Sequence, residues 1–478
     1  MLILTCFLLP FLISLLSTFT KGRILLGLNL LGSFLLLAST GQLLIEVAQT
    51  GSLSLVFGNW PLPYGIEFYA DTISSMLVVL IALVATVTIV FMIHWQSVME
   101  KPTYFSLIQM LVASSIAVSL AADLFNLYVW FELMLISVMG LLVLGSGRQH
   151  YEAAMKYFTI SMIGTLLMLA AIGMIHGAVG HLNFSAIKDA MQHPETANQF
   201  SLYSSLLLLA MLLKVGAFPL FTWLPAAYHM LPAPILALVG GLLTKISIYV
   251  VLRLTGQVFE LELFYEALGW LAVITMISGV LGAAYHWDLR RILAFHIVSQ
   301  VGFLLLGVAL SSPAGATGTA FFLFHNILVK ANLFLTAGII WLTAGHYDLR
   351  RIGGLFPARP LLAVMFLLSA LSLVGVPPTS GFWGKLLIIM ETLEQEHYWW
   401  AGAALLTGLL TLYSMSKIWL EGFWKPHPAQ TEKQIAVPLP LYVVMLFLSS
   451  VILLMGLAPD FLINFLQLQQ QDFYGGSL

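Results

Sequence analysis

Charge is what this sequence has least of. Asp, Glu, Lys and Arg make up 8% of its 478 residues, against 60% hydrophobic ones, whereas a soluble globular domain carries roughly 25% charged residues. Together with a mean hydropathy of +0.98, this leaves too little polar surface to coat a water-facing globule, and the lipid bilayer is the expected solvent. Cysteine is nearly missing as well, Cys6 being the only one. One thiol closes no internal disulfide and cannot hold an iron–sulfur cluster by itself. No phosphate loop, zinc-ligand spacing or nucleophile elbow occurs. No cofactor, metal site or enzymatic centre is therefore expected. A net charge of −2 offers nucleic acid no basic surface.

Long apolar runs take the place of what is missing. A run of ~20 residues crosses a hydrocarbon core of ~30 Å. About fourteen such runs can be drawn, at 2–20, 25–48, 69–94, 103–120, 122–145, 153–178, 203–224, 233–254, 267–287, 291–311, 316–343, 360–391, 399–420 and 436–458. Lys21 and Arg23 follow the first run instead of preceding it, which is the wrong order for a cleaved signal peptide, so that run is read as a retained helix. Two wetter stretches, 49–68 and 179–202, are expected as loops on one side. The basic residues then alternate by side. Lys21, Arg23, Lys101, Arg148, Lys156, Arg290, Arg291, Arg350, Arg351, Arg359, Lys417, Lys425 and Lys433 fall at one face. Only Lys188 and Arg253 remain for the other. By the positive-inside rule the first face is cytoplasmic and both termini are external.

Two runs look interrupted. The seventh reads Lys214-Val215-Gly216-Ala217-Phe218-Pro219, and the twelfth reads Gly375-Val376-Pro377-Pro378-Thr379-Ser380-Gly381 ahead of Lys385. Proline removes a backbone donor and clashes with the preceding turn, and broken backbone at membrane depth persists only where protein or water satisfies it. Breaks five spans apart suggest a repeat of five helices, spans 4–8 and 9–13. Because five is odd, the second copy would be inverted. The expected fold is an all-α polytopic membrane protein, a single membrane domain over 1–478. Within it, N-terminal helices 1–3 occupy 1–100, a first repeat 101–256, a second, inverted repeat 265–422, and a C-terminal helix 436–458.

The few charges inside these runs carry the chemistry. An unpaired charge at mid-bilayer costs at least ~2.5–3.5 kcal/mol on insertion scales and usually marks an ion pathway. Glu132 lies ten residues into its span, ~15 Å deep at helical rise, and Lys214 about eleven residues into its own, ~16 Å deep. Lys245 and Lys330 are similarly deep, beyond the reach of a snorkelling side chain. Lys385 follows the second break. Lys417, near a helix end, fits the snorkelling description. Arginine stays protonated under nearly all conditions, whereas a desolvated lysine can titrate near neutrality. A Glu132–Lys214 pair could then act as a switch, with Lys245, Lys330 and Lys385 as successive proton sites. His325 and His296 are natural relay groups, and His229 a weaker one. Each could equally be a buried histidine bonded to backbone.

The segments Asp123–Glu132 (DLFNLYVWFE), Lys214–Pro225 (KVGAFPLFTWLP), Gly241–Lys245 (GLLTK), His325–Lys330 (HNILVK) and Gly375–Lys385 (GVPPTSGFWGK) resemble the antiporter-like subunits shared by Mrp-type cation/proton antiporters, respiratory complex I and membrane-bound hydrogenases. The resemblance covers nearly the whole chain. In length and in the approach to Glu132 it is most similar to D-type subunits of Mrp-type multisubunit Na⁺/H⁺ antiporters. Lys385 separates it from M-type complex I subunits, which have a glutamate there; N-type subunits share the lysine. The resemblance implies fourteen helices with an inverted five-helix repeat, and an essential Glu132–Lys214 pair. It makes Lys245 a bridging lysine and gives a second half-channel at Lys330 and Lys385. It further implies a hetero-oligomer with other Mrp-type subunits in a bacterial cell membrane, exchanging protons for Na⁺ or a related cation. The alternative is a proton-pumping subunit of a redox-linked complex.

Overall fold

The computed structural model describes residues 1–95, 101–191, 194–259, 262–426 and 436–468. In chain order its helices are α1 (Leu2–Phe19), α2 (Gly22–Thr50), α3 (Thr72–Ile93), α4 (Pro102–Leu120), α5 (Leu124–Val143), α6 (Arg148–Val179), α7 (Phe184–Met191), α8 (Pro194–Val215), α9 (Trp223–Tyr228) and α10 (Ala233–Arg253). They continue with α11 (Glu262–Tyr285), α12 (Leu289–Ala309), α13 (Pro313–Ala344), α14 (Leu355–Ala358), α15 (Pro360–Val374), α16 (Ser380–Glu394), α17 (Tyr398–Ile418), α18 (Leu439–Leu457) and α19 (Pro459–Leu468). Two short strands, β1 (Leu53–Val56) and β2 (Glu67–Ala70), pair antiparallel between α2 and α3.

Among the described residues, thirteen helical segments are long and apolar enough to cross a membrane. The twelfth expected span, 360–391, is not among these thirteen because it is two half-helices, α15 and α16. Gly375 ends α15 with φ +94°, a conformation that suits glycine, and the Pro377-Pro378 pair that follows cannot continue a helix. The seventh span breaks in the same way, where α8 stops at Val215 and Gly216 takes φ +77°.

Other features recur at the same places in the two halves. The Asp123 carboxylate caps α5 by accepting from the Asn126 N–H, and Asp288 caps α12 by accepting from the Arg290 and Arg291 N–H groups. Each capping Asp also forms an isolated antiparallel bridge, Asp123 with Asn183 and Asp288 with Asp348. Helices α6 and α13 both have 32 residues and end on a left-handed glycine, Gly180 or Gly345. Asp123 and Asp288, like Gly180 and Gly345, are 165 residues apart (288 minus 123, 345 minus 180).

The two expected loops are more ordered than their composition suggests, and they meet. The first holds the β1–β2 hairpin. The second is largely helical, with α7 and the start of α8. The Asn183 amide donates to the Glu67 carboxylate at 2.8 Å. Arg253, assigned above to the sparsely charged side, is a buried anchor for this end. It donates to the Ala121 carbonyl at 2.7 Å and lies over the rings of Tyr69 and Phe184. At the basic end, Arg290 stacks on Tyr347, 3.9 Å from the ring centre. The Arg350 guanidinium bonds Asp348 and holds its carboxyl below the usual carboxylate range. Lys433 lies outside the described residues.

The core is built around α10, α12 and α13, which are buried along nearly their whole length, while α1, α2, α6, α17 and α18 present apolar faces outward. Small residues permit close crossings: a Cβ on Gly279 of α11 would collide with the Ser299 backbone nitrogen of α12, and one on Gly241 of α10 would stand 3.4 Å from the Ile327 carbonyl of α13, the kind of approach that glycine allows between membrane helices. Glycine also seats α18 on the second break. A Cβ on Gly456 would collide with the Pro378 carbonyl, and the Trp383 indole donates to the Gly456 carbonyl at 2.8 Å.

This packing can be tested at two positions. Gly456→Val should cost about 1–3 kcal/mol through overpacking, whereas Gly402→Ala on α17, whose Cβ meets nothing within 4 Å, should be near neutral; thermal unfolding of the purified protein in detergent compares them. His229, in the corner after α9, is acceptor to Arg291 through Nε2 at 3.2 Å and donor to the Pro225 carbonyl through Nδ1 at 2.7 Å. Arginine has no acceptor, so Nε2 carries no proton. Burial first, then Arg291, push this imidazole from 6.5 down to about 4. A group whose folded value is depressed adds stability that is complete above its unfolded value and is lost as pH falls through its folded one. The unfolding midpoint should therefore drop between pH 6.5 and 4, and His229→Gln should flatten that slope.

Candidate proton pathway

The first cluster forms where α5, α6 and α8 meet. Glu132 projects from the middle of α5, and Lys214 sits in the last turn of α8, just ahead of the break. A helix C-terminus carries free carbonyls and partial negative charge, which favours a cation there. The Lys214 amine is 4.0 Å from Glu132 Oε1, with side chains 8% and 21% exposed respectively. The contact that the sequence left open is thus made, although not directly: the amine donates to Thr165 Oγ1 of α6 at 3.1 Å, and the Thr165 hydroxyl donates to Glu132 Oε1. Lys214 also lies 5.1 Å from the centre of the Phe131 ring. A cavity of about 20 Å³ opens beside it, lined by Tyr157, Ser161, Lys214, Trp223, Leu243 and Ser247 among others. That is room for about one water. Leu243 and Ser247 flank Lys245 on α10.

Lys245 and Lys330 are fully buried. The Lys245 amine donates to the Gly240 carbonyl of its own helix at 2.9 Å, and Lys330 reaches the Leu293 carbonyl of α12 at 3.4 Å. Lys330 is near enough to Lys245 and Lys385 to feel both charges. Lys385 of α16 turns back to the end of α15 and donates to the Leu373 and Val374 carbonyls at 3.0 and 2.8 Å. These carbonyls have no helical partner because α15 stops there, so the lysine satisfies the very groups that the break exposes. Its amine also sits 4.7 Å from the centre of the Phe303 ring. Among the described residues, no carboxylate lies within ion-pair distance of Lys245, Lys330 or Lys385.

Both buried histidines border this second cluster. His325 contacts Ser380 Oγ through Nδ1 at 2.8 Å, at the start of α16, and His296 contacts Ser414 Oγ of α17 through Nε2 at 3.0 Å. His325 lies in the field of Lys385 and Lys330, and His296 in that of Lys330, Lys385 and Lys417. His229 stands apart, tied to Arg291 at the basic end. Lys417 does not snorkel freely: its amine caps the end of α11 through the carbonyls of Ala284 and His286 at 2.7 and 2.6 Å.

Sequence reasoning passed over several neutral polar residues. Thr165 joins the two charges of the pair. Ser299 and Gln300 on α12 and Asn326 on α13 are buried with side-chain atoms that no protein group satisfies, as are Nε2 of His325 and Nδ1 of His296. An unsatisfied buried polar atom costs roughly 1–3 kcal/mol, and such groups are where bound water is usually found. Their signal in the sequence was simply a polar side chain in the middle of an apolar helix. Among the described residues, no group of three or more His, Cys, Asp or Glu is arranged to hold a metal ion.

Known proteins resemble this chain in both sequence and fold. Residues 121–411 match the family model described as NADH:quinone oxidoreductase/Mrp antiporter, transmembrane. The D-type subunit of the Na(+)/H(+) antiporter of Alkalihalophilus pseudofirmus is 37% identical over 425 residues, which is 87% of this chain and 86% of that one. A chain of the Mrp complex from Dietzia sp. DQ12-45-1b superposes with a TM-score of 0.91 at 27% identity, covering 99% of this chain and 97% of the other. A chain of respiratory complex I from Thermus thermophilus gives 0.86 at 25% identity over 100% of both. The chain is thus a multi-pass membrane protein belonging to the NADH:quinone oxidoreductase/Mrp antiporter transmembrane family.

Proposed function

We propose that this chain is the proton-translocating D-type subunit of a multisubunit Mrp-type antiporter, exchanging protons for Na⁺ or a related monovalent cation beside other subunits of the complex. It would lie in a bacterial cell membrane with both termini outside, the orientation that its basic loops favour. The relative from Alkalihalophilus pseudofirmus and the Dietzia complex support this reading by their names. The two repeats would span 101–256 and 265–422; the matched caps, glycine ends and breaks of the two halves support that division.

The observation that carries the mechanism is a largely buried ion pair followed by three buried lysines that, among the described residues, have no carboxylate within ion-pair distance. While Glu132 and Lys214 are together, the carboxylate compensates the ammonium. When they part, an uncompensated buried charge is costly, and the proton passes on. The small cavity beside Lys214 is lined by Leu243 and Ser247 of α10, which stand on either side of Lys245 in the chain, and Lys245 is the next site of the relay. Lys330 and His325 then hand the proton across α13 to Lys385 at the second break, with His296 beside them. The chain itself performs no redox step in this scheme.

A second reading keeps the same residues and changes the driving force: a proton-pumping, N-type subunit of a complex I-like or hydrogenase-linked redox complex. The end-to-end likeness to a complex I chain favours it. Activity that requires NADH or reduced quinone would select it over the antiporter.

In everted vesicles carrying the whole complex, Lys214→Ala should cut cation-dependent dissipation of a proton gradient by about a hundredfold or more while assembly stays normal; an unchanged rate would end the proposal. Lys385→Met should stop transport and also lower the thermal stability of the complex by roughly 1–3 kcal/mol, because the Leu373 and Val374 carbonyls lose their donor.

A further inference from the structure

A hydroxyl stands between the two charges of the switch. A direct ammonium–carboxylate bond has a length of about 2.7–2.9 Å, but Lys214 and Glu132 are held 4.0 Å apart. Thr165 fills the gap, accepting from Lys214 at 3.1 Å and donating to Glu132. We propose that Thr165 is a relay and positioning residue of this switch: its hydroxyl passes the proton between Lys214 and Glu132 and keeps them from closing into a direct salt bridge. The inference rests on the proton pathway read above.

The two hydrogen bonds point the same way, from amine to hydroxyl to carboxylate. A proton can therefore cross without a backbone movement. One Lys214 N–H bond breaks as its proton joins Thr165 Oγ1, and the original Thr165 O–H proton moves to Glu132 Oε1. The products are a neutral amine, a protonated carboxyl and an unchanged threonine, so the step needs no other reactant. A direct salt bridge would instead hold both charges in place at the Coulomb minimum of the pair. The other titratable groups in the field of Glu132 are Tyr128 on its own helix and Tyr157 on α6.

Two further observations single out this position. Gly164 lets α6 lie close against α8, since a Cβ there would stand 3.3 Å from Leu213 Cβ and 3.4 Å from the Ala210 carbonyl. That approach brings the adjacent Thr165 to Lys214. The matched landmarks of the two halves are 165 residues apart, and 165 residues beyond Thr165 stands Lys330 on α13. The same place in both halves thus bears a side chain able to pass a proton, a hydroxyl in one and an amine in the other. One turn before each, Ser161 lines the cavity beside Lys214, and its counterpart Asn326 is a buried amide with no protein partner.

The test compares Thr165→Val, Thr165→Ala and Thr165→Ser in the intact complex, measuring cation-dependent proton flux in everted vesicles across a range of pH. Valine keeps the shape and removes the hydroxyl. It should lower the rate by about tenfold and displace the pH profile, while serine keeps both rate and profile close to wild type. Alanine, smaller than threonine, serves should valine impair assembly, which co-purification of the partner subunits would reveal. The proposal is overturned if the valine or alanine variant retains the wild-type rate and profile. It is equally overturned if serine is as impaired as valine, since the methyl group would then be what matters. Lys214→Ala in the same assay separates the two levels: if that variant still transports, the pathway itself is wrong, and if it alone fails, only the role of Thr165 is lost.

Discussion

A charged amine in a hydrocarbon-like interior must find acceptors, and a helix that breaks inside a membrane must find donors. In this protein each requirement meets the other. Lys385 bonds the Leu373 and Val374 carbonyls that α15 leaves open at its end, whereas at the end of α8 the Gly216 and Ala217 N–H groups serve the Leu212 and Leu213 carbonyls and Lys214 finds its acceptor in the Thr165 hydroxyl. Backbone groups left unsatisfied in lipid cost several kcal/mol each, and a buried charge without compensation is expensive too. At the second break the open carbonyls and the lysine satisfy each other. The rest of the bundle holds them in register.

That register comes from close helix contact, supported by polar bonds between helices such as those of Asn332 to Ser369 and Ser449. Without a hydrophobic drive between helices in lipid, association depends on van der Waals packing, and small residues favour it. Gly241 brings α10 against α13, Gly164 brings α6 against α8, and Gly456 brings α18 against the second break. The polar side chains then fall into two places, a paired cluster around Glu132 and an unpaired one around Lys330. The contrast has a mechanistic sense. In the relay proposed above, charge leaving the first cluster would meet mostly neutral acceptors in the second, with no carboxylate partner there among the described residues.

The ends of the bundle serve a different purpose. The β1–β2 hairpin, the Asn183–Glu67 bond and the buried Arg253 close one end, and cation–π and ion-pair contacts of Arg290 and Arg350 organise the other. At the first end these bonds tie together segments distant in sequence, Ala121 to Arg253 and Glu67 to Asn183. Both sets keep the connections ordered above a core in which the side chains of Ser299, Gln300 and Asn326 and one nitrogen each of His296 and His325 have no protein partner, and these groups lie along the candidate path.

Much of this was legible in the order of residues. Apolar length alone marks the spans because only a helix satisfies its own backbone in lipid. Proline and glycine mark the breaks because their effects are local. Rarity marks the deep lysines, since burying each is costly. Tertiary structure decided what depends on which helices touch. It held Glu132 and Lys214 at 4.0 Å with Thr165 between them, turned Lys385 back on α15, withdrew Arg253 into a structural anchor, and set His229 beside Arg291 away from the lysines. Sequence distance says nothing of such contacts: Glu132 and Thr165 are bonded across 33 residues, and His296 and Ser414 across 118. A neutral hydroxyl such as that of Thr165 gains its meaning only from the two charges that packing places on either side of it.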